Sequence, residues 1–324
     1  MQGKIALEEH FALAETFSNS GRFSFAGQAD DLRRRLLDIQ ETRLGEMDAY
    51  GIEFAIQSLN SPGVQAVLEP AMAVELAIRA NDVLAEEVAK RPDRFAGFAA
   101  LPMQDVDAAC AEVARCIKDL GFKGVNLNGF SQKGGADTQV FYDLPEFRPL
   151  WQVIEALDVP TYLHPRNTLP SQARCYEGHP WFENSGWAFA VETAIHALRL
   201  MASGLFDDCP KLQIILGHLG ERIPFDLWRV DHRISKSPQG IPAKRQMRDY
   251  FTENFHLTTA GNFHDRTLHY TIGEIGIGRV LFSVDYPFET TEEGAVWFDN
   301  ADLSDADRLK IGRDNAIKLF KLDL

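Results

Sequence analysis

Residues 4–10 read KIALEEH, an apolar run that closes on Glu8, Glu9 and His10. Its length and make-up are those of a strand buried on both faces, yet it carries two acids and an imidazole. An unpaired buried carboxylate is costly, so something must compensate the charge. Seven later runs share the form, a short apolar stretch that in most cases ends in Gly, Asn, His or Asp: FAIQSLN (54–60), FAGFAAL (95–101), GVNLNG (124–129), VPTYLHP (159–165), LQIILGH (212–218), FHLTTAG (255–261) and RVLFSVD (279–285). Amphipathic stretches at helical spacing lie between them. The stretch 29–51 reads as one helix stopping at Gly51, and 69–91, 105–121 and 187–204 read as three more. Near the C-terminus Ser304 and Asp307 form a capping pattern ahead of a last helix. Eight strands alternating with helices predict a parallel α/β array closed as a (β/α)8 TIM barrel, one domain spanning residues 1–324. An open doubly wound sheet is the alternative. No GxGxxG follows the first strand and no GxxxxGK[ST] occurs, so nucleotide folds lack a motif.

Composition narrows the partners. The 324 residues carry a net charge of −14, which speaks against nucleic acid and against anionic membrane surfaces. It leaves room for a small anionic substrate, whose pocket needs only one or two local cations. No leader pattern opens the chain and no apolar run reaches the length of a membrane span. Cys110, Cys116, Cys175 and Cys209 are scattered without a CxxC, and a reducing, cytoplasmic compartment is expected.

Side chains alternate along a strand, so Glu8 and His10 share one face while Leu7, Glu9 and Phe11 share the other. His164 ends the fifth run and His218 the sixth, with Glu221 three residues on; Asp285 ends the eighth. In a (β/α)8 barrel these C-terminal strand ends meet at one mouth. Glu8, His10, His164, His218 and Asp285 would then face one concave site. Imidazoles and carboxylates without thiolate suit Zn²⁺, Mn²⁺ or Fe²⁺, and a divalent cation would compensate the buried acid. The other histidines (His179, His196, His232, His256, His264, His269) fall away from this pattern. The long segments 11–30, 131–149 and 164–186 are expected to be functional loops.

The motifs ALEEHF (6–11), LHPRN (163–167), LGHLGE (216–221) and FSVDYPFE (282–289) resemble those of the metal-dependent aromatic acid decarboxylases of the amidohydrolase superfamily. The likeness continues through 79–95, 197–207 and 318–323 and so runs over essentially the whole chain. Its nearest branches are the γ-resorcylate (2,6-dihydroxybenzoate) and 2,3-dihydroxybenzoate decarboxylases. The resemblance implies a distorted barrel with one divalent metal, Mn²⁺ or Zn²⁺, held by Glu8, His10, His164 and Asp285. It implies that His218 and Glu221 flank the substrate and that Asp285 delivers a proton to the ring. Some 2,3-dihydroxybenzoate and salicylate decarboxylases have Ala where this chain has His10, which leans the reading toward the γ-resorcylate branch. For a flat, apolar pocket with a polar rim, Phe23, Phe189 and Phe288 are candidates against the ring and Asn128 for a hydroxyl, and Arg229 resembles a family arginine at an active site, its own or a neighbour's. The family implies a homo-oligomer, a dimer or tetramer. Two other functions share the ligand set: a metal-dependent hydrolase of a lactone, amide or ester, and a non-catalytic metal or aromatic-acid binder.

Overall fold

Eight parallel strands form in the computed structural model, which describes residues 1–20 and 29–324. They are β1 (Lys4–Phe11), β2 (Ile52–Leu59), β3 (Phe95–Ala100), β4 (Gly124–Asn128), β5 (Thr161–His164), β6 (Ile214–Leu216), β7 (Phe255–Thr258) and β8 (Val280–Leu281), each paired with the next in chain order. The ring closes just beyond β8. Asp285 N donates to Glu8 O at 3.0 Å and His10 N to Tyr286 O at 2.7 Å, and Glu9 and Tyr286 form a parallel bridge. The expected barrel is thus the observed one.

The barrel interior is a packed core of Ile5, Leu7, Phe54, Ile56, Phe98, Tyr162, Ile215 and Leu281. Its floor is the last helix, Asn315–Phe320, whose Phe320 meets Phe98 edge-on with ring centroids 5.7 Å apart. A second, larger apolar layer fills the space between the strands and the surrounding helices. The polar mouth lies at the opposite, C-terminal end of the strands, as barrel geometry requires.

Three expectations need correction. The stretch 29–51 is two helices, Ala29–Leu37 and Glu41–Tyr50. Asp38 breaks it: its carboxylate accepts from the N–H groups of Gln40, Glu41 and Thr42 at 3.0, 2.8 and 2.8 Å, starting a new helix. Leu7 does not share a face with Glu9 and Phe11; it packs inward beside Ile5, and Glu8 follows it inward. A register slip between Ala6 and Glu9 resets the alternation. Finally, β6 and β8 stop short of His218 and Asp285, which sit on left-handed backbone just past them, at φ 51° and 81°.

Candidate metal centre and active site

Each functional side chain is delivered by the end of a strand. β1 supplies Glu8 and His10, β5 supplies His164, and the segments after β6 and β8 supply His218 and Asp285. One ligand atom from each of Glu8, His10, His164 and Asp285 lies within 4.8 Å of the others. Glu8 Oε1 stands 3.1 Å from His164 Nε2, and His10 Nε2 stands 3.2 Å from Asp285 Oδ1. Three of these four atoms, Glu8 Oε1, His10 Nε2 and Asp285 Oδ1, are buried and make no hydrogen bond. Buried polar atoms are almost always satisfied, so converging atoms without hydrogen bonds mark a place suited to a cation. The residues present therefore fit a divalent metal with N and O donors.

Protonation states agree with that fit. Burial pushes Glu8 toward its neutral form, but the imidazoles of His218 and His164 outweigh it and hold the carboxyl below its usual range. Burial acts on Asp285 in the same sense, and His10 and His218 beside it hold it well below the carboxylate range. His10 is pushed down by burial and by neighbouring His164, which keeps it neutral. Two carboxylates and a neutral imidazole are what a divalent cation requires.

The surrounding residues orient the ligands. Ser58, the register partner of His10 on β2, shares a hydrogen bond of 3.0 Å with His10 Nδ1 and so turns Nε2 toward the centre. Glu8 Oε2 accepts from the Tyr162 hydroxyl and from Thr258 Oγ1, the latter at 3.3 Å. Gly217 is needed there, because a Cβ would lie 2.6 Å from Glu8 Oε2. Sequence reasoning missed Ser58, Tyr162 and Thr258. Their signal was faint: Ser58 sits on the strand next to His10, while Tyr162 and Thr258 reach Glu8 from β5 and β7, contacts that exist only once the strands close into a ring.

His218 stands beside this cluster. Its Nδ1 donates to Glu221 Oε1 at 2.7 Å and its Nε2 lies 3.6 Å from Asp285 Oδ2. Burial opposes its charge, but Glu221 and Glu8 overcome this and raise it well above the usual histidine value. The shift favours the protonated ring, whose Nε2 faces the Asp285 carboxylate. His218, Leu219, Glu221 and Arg222 all take positive φ, a strained run of the kind found at active sites.

A cavity of about 500 Å³ opens on His218. Phe189, Glu221, Arg222, Arg266 and Tyr270 also line it, and Arg222 stacks on Trp187 at 3.8 Å. Phe288 meets His10 edge-on at 5.6 Å between centroids. Asn128 is buried; its Nδ2 donates to the carbonyls of Leu59 and Asn60 and its Oδ1 accepts from Asn126. Arg229 is exposed on the helix Ile223–Lys236 and is not part of the cavity wall. Phe23 lies outside the described residues.

The amidohydrolase family profile matches residues 29–322. The chain belongs to the amidohydrolase family. Within that family it is 59% identical over 325 residues to the γ-resorcylate decarboxylase of Rhizobium sp. (strain MTP-10005), covering 100% of this chain and 99% of the relative. A 2,6-dihydroxybenzoate decarboxylase solved with 2,6-dihydroxybenzoate superposes with a TM-score of 0.97 at 58% identity, covering 99% of this chain and 100% of that one. A dihydroxybenzoic acid decarboxylase from Polaromonas sp. JS666, solved with manganese and the inhibitor 2-nitroresorcinol, gives 0.97 at 55% identity, covering 100% and 98%. This amidohydrolase thus shares its whole length and backbone with aromatic acid decarboxylases.

Proposed function

We propose that this chain is a divalent-metal-dependent decarboxylase that converts 2,6-dihydroxybenzoate to resorcinol and CO2 without an oxidant. One observation carries the reading: full-length likeness, at a TM-score of 0.97, to a decarboxylase solved with that acid. Glu8, His10, His164 and Asp285 would hold the metal, and the manganese of the Polaromonas relative supports Mn²⁺ over Zn²⁺. When bound, the cation supplies Lewis acidity toward the substrate carboxylate and its ortho oxygen.

The chain's own groups account for the proton. Direct loss of CO2 would leave an aryl carbanion, so the ring carbon bearing the carboxylate is protonated first. Asp285 is the donor to that carbon. The C–CO2 bond then breaks, its electron pair restores aromaticity, CO2 leaves, and Asp285 is again a carboxylate. Because Asp285 rests ionised, its proton arrives with the phenol or from His218 Nε2, 3.6 Å away. Glu221 holds His218 in the tautomer and orientation that transfer needs. Phe189 and Phe288 offer apolar faces to the ring, with Phe23 a third candidate, while Asn128 acts by holding the loops around the mouth.

The barrel is proposed to act as one domain over residues 1–324. Phe225 and Trp228, 76% and 64% exposed on the helix Ile223–Lys236, support a homo-oligomer, a dimer or tetramer, in which Arg229 of the same helix would reach a neighbour. No helix of the described residues is long and apolar enough to cross a membrane, and the four free cysteines support a cytoplasmic location. The test is turnover of 2,6-dihydroxybenzoate, 2,3-dihydroxybenzoate and salicylate by Mn²⁺-loaded protein. CO2 and resorcinol from the first acid, lost on chelation, are expected. Turnover of only the other two would move the substrate; turnover of none with metal bound would overturn the assignment.

A further inference from the structure

The pairing of β1 with β2 slips twice, between Lys4 and Ile5 and again between Ala6 and Glu9, and the second slip bears on the site. Ala6 faces Ala55, but Glu9 faces Gln57, so three steps along β1 match two along β2. A regular strand would send Leu7 and Glu8 to opposite faces. Here Leu7 joins the interior core with Phe98 and Tyr162, and the Glu8 carboxylate also reaches Tyr162. Leu7–Glu8 is therefore a β-bulge, and it is what lets the strand continue a hydrophobic core below and present Glu8 and His10 at the mouth above.

A bulge leaves two successive N–H groups seeking one acceptor. Both are met by a single side chain: Leu7 N and Glu8 N donate to Ser283 Oγ at 3.1 and 2.6 Å. Ser283 Oγ in turn donates to Glu9 Oε1 at 3.3 Å, which fixes the far end of the bulge. Ser283 is fully buried, and Thr259 holds its backbone on the other side: Ser283 N donates to Thr259 Oγ1 at 3.0 Å, and Thr259 Oγ1 donates to Ser283 O at 2.9 Å.

We propose that Ser283 is a positioning residue of the metal centre: its hydroxyl clasps the Leu7–Glu8 bulge and thereby sets the face on which Glu8 and His10 are presented. The inference rests on the metal reading above. Without that hydroxyl two buried N–H groups lose their acceptor. The strand relieves this by relaxing toward regular alternation, which draws Glu8 away from His164 and Asp285. Loss of partners that orient ligands commonly weakens metal binding by about 10–100-fold.

The experiment titrates chelator-stripped protein with Mn²⁺ alone, reading free Mn²⁺ by its EPR signal, and follows amide exchange at Leu7 and Glu8 by NMR. Wild type, Ser283→Ala, Ser283→Cys and Ser131→Ala are compared. Ser131 is an equally buried hydroxyl, bonded to the Tyr142 hydroxyl at 2.8 Å, outside the centre. The expected result is protected Leu7 and Glu8 amides in wild type, and roughly 10–100-fold weaker Mn²⁺ binding in both Ser283 variants. Their two amides exchange faster, while Ser131→Ala keeps wild-type affinity even where its stability falls. Freely exchanging amides in wild type would overturn the clasp whether or not the variants fold. Unchanged affinity at Ser283, or an equal loss at Ser131, would overturn the positioning role alone. Wild type that takes up no Mn²⁺ would overturn the metal reading, and this inference with it.

Discussion

At the scale of single residues, the site combines two carboxylates with opposed tasks. Glu8 is fixed by Tyr162 and Thr258 through one oxygen and leaves the other, the proposed metal ligand, without a hydrogen bond. Asp285 faces both His10 and His218, and so stands between the proposed metal centre and the proposed proton carrier. Asp285→Asn should keep the fold but lower kcat by at least about 10²–10⁴-fold, the usual worth of a general acid, and weaken Mn²⁺ binding as well. Glu221→Gln should cost less, because His218 loses its orienting anion but keeps its ring; steady-state kinetics of the two variants rank them. A Glu221→Gln enzyme slower than Asp285→Asn would contradict this division of labour. Strain is stored here too. Positive φ at His218, Glu221 and Asp285 costs roughly 1–3 kcal/mol each, strain that the packed surroundings must hold in place.

At the scale of elements, most of the barrel was legible in the sequence. All eight apolar runs became strands, because a short apolar run between helical stretches can be buried on both faces in a parallel barrel. The five polar residues of the mouth, Glu8, His10, His164, His218 and Asp285, were also legible, since strand-end polarity is unusual in a buried run; the choice of four of them as metal ligands rested on the family resemblance. What escaped depended on contacts distant in sequence. The Leu7–Glu8 bulge is set by Ser283, 275 residues beyond Glu8, so no local pattern announces it. The break at Asp38 was readable in principle, since Asp starts helices, but the amphipathic pattern runs through it. Two predictions belong here. Phe98→Ala removes the ring that joins the barrel interior to its C-terminal floor, and should cost about 3–5 kcal/mol in urea denaturation. Arg266→Gln removes a cation from the cavity wall beside His218. Near a surface such a charge is worth about 1 kcal/mol toward an anion, so KM should rise roughly fivefold at low salt with kcat unchanged, and the difference should shrink as salt is added. A KM indifferent to both the substitution and salt would remove Arg266 from the substrate's path.

At the scale of the whole molecule, folding stability should depend on pH through histidines far from the chemistry. Burial, with Arg199 adding to it, pushes His196 down to about 3. Burial, with Arg279 and Lys318, does the same to His256, also to about 3. Unfolded, both would titrate near 6.5. Between those values the unfolded chain binds more protons than the folded one, so stability is fully present above about pH 6.5 and falls as pH drops toward 3, by up to about 1.4 kcal/mol per pH unit for each group. Urea midpoints at pH 7, 6 and 5 measure this. His196→Gln, whose amide oxygen can take the Tyr142 N–H that His196 Nε2 accepts at 3.1 Å, should show a shallower fall. An unchanged slope would mean that His196 does not contribute.

The central claim is that a proton replaces CO2 on the ring at a metal site built from strand ends. The most direct measurement is to run Mn²⁺-loaded protein on 2,6-dihydroxybenzoate in D2O and to follow resorcinol by NMR and CO2 by mass spectrometry. The account predicts one CO2 per resorcinol, a single deuterium at the carbon between the two hydroxyls, and loss of both products on chelation and in Asp285→Asn. Consumption of the acid without CO2, or resorcinol formed at the same rate after the metal is stripped, would contradict it.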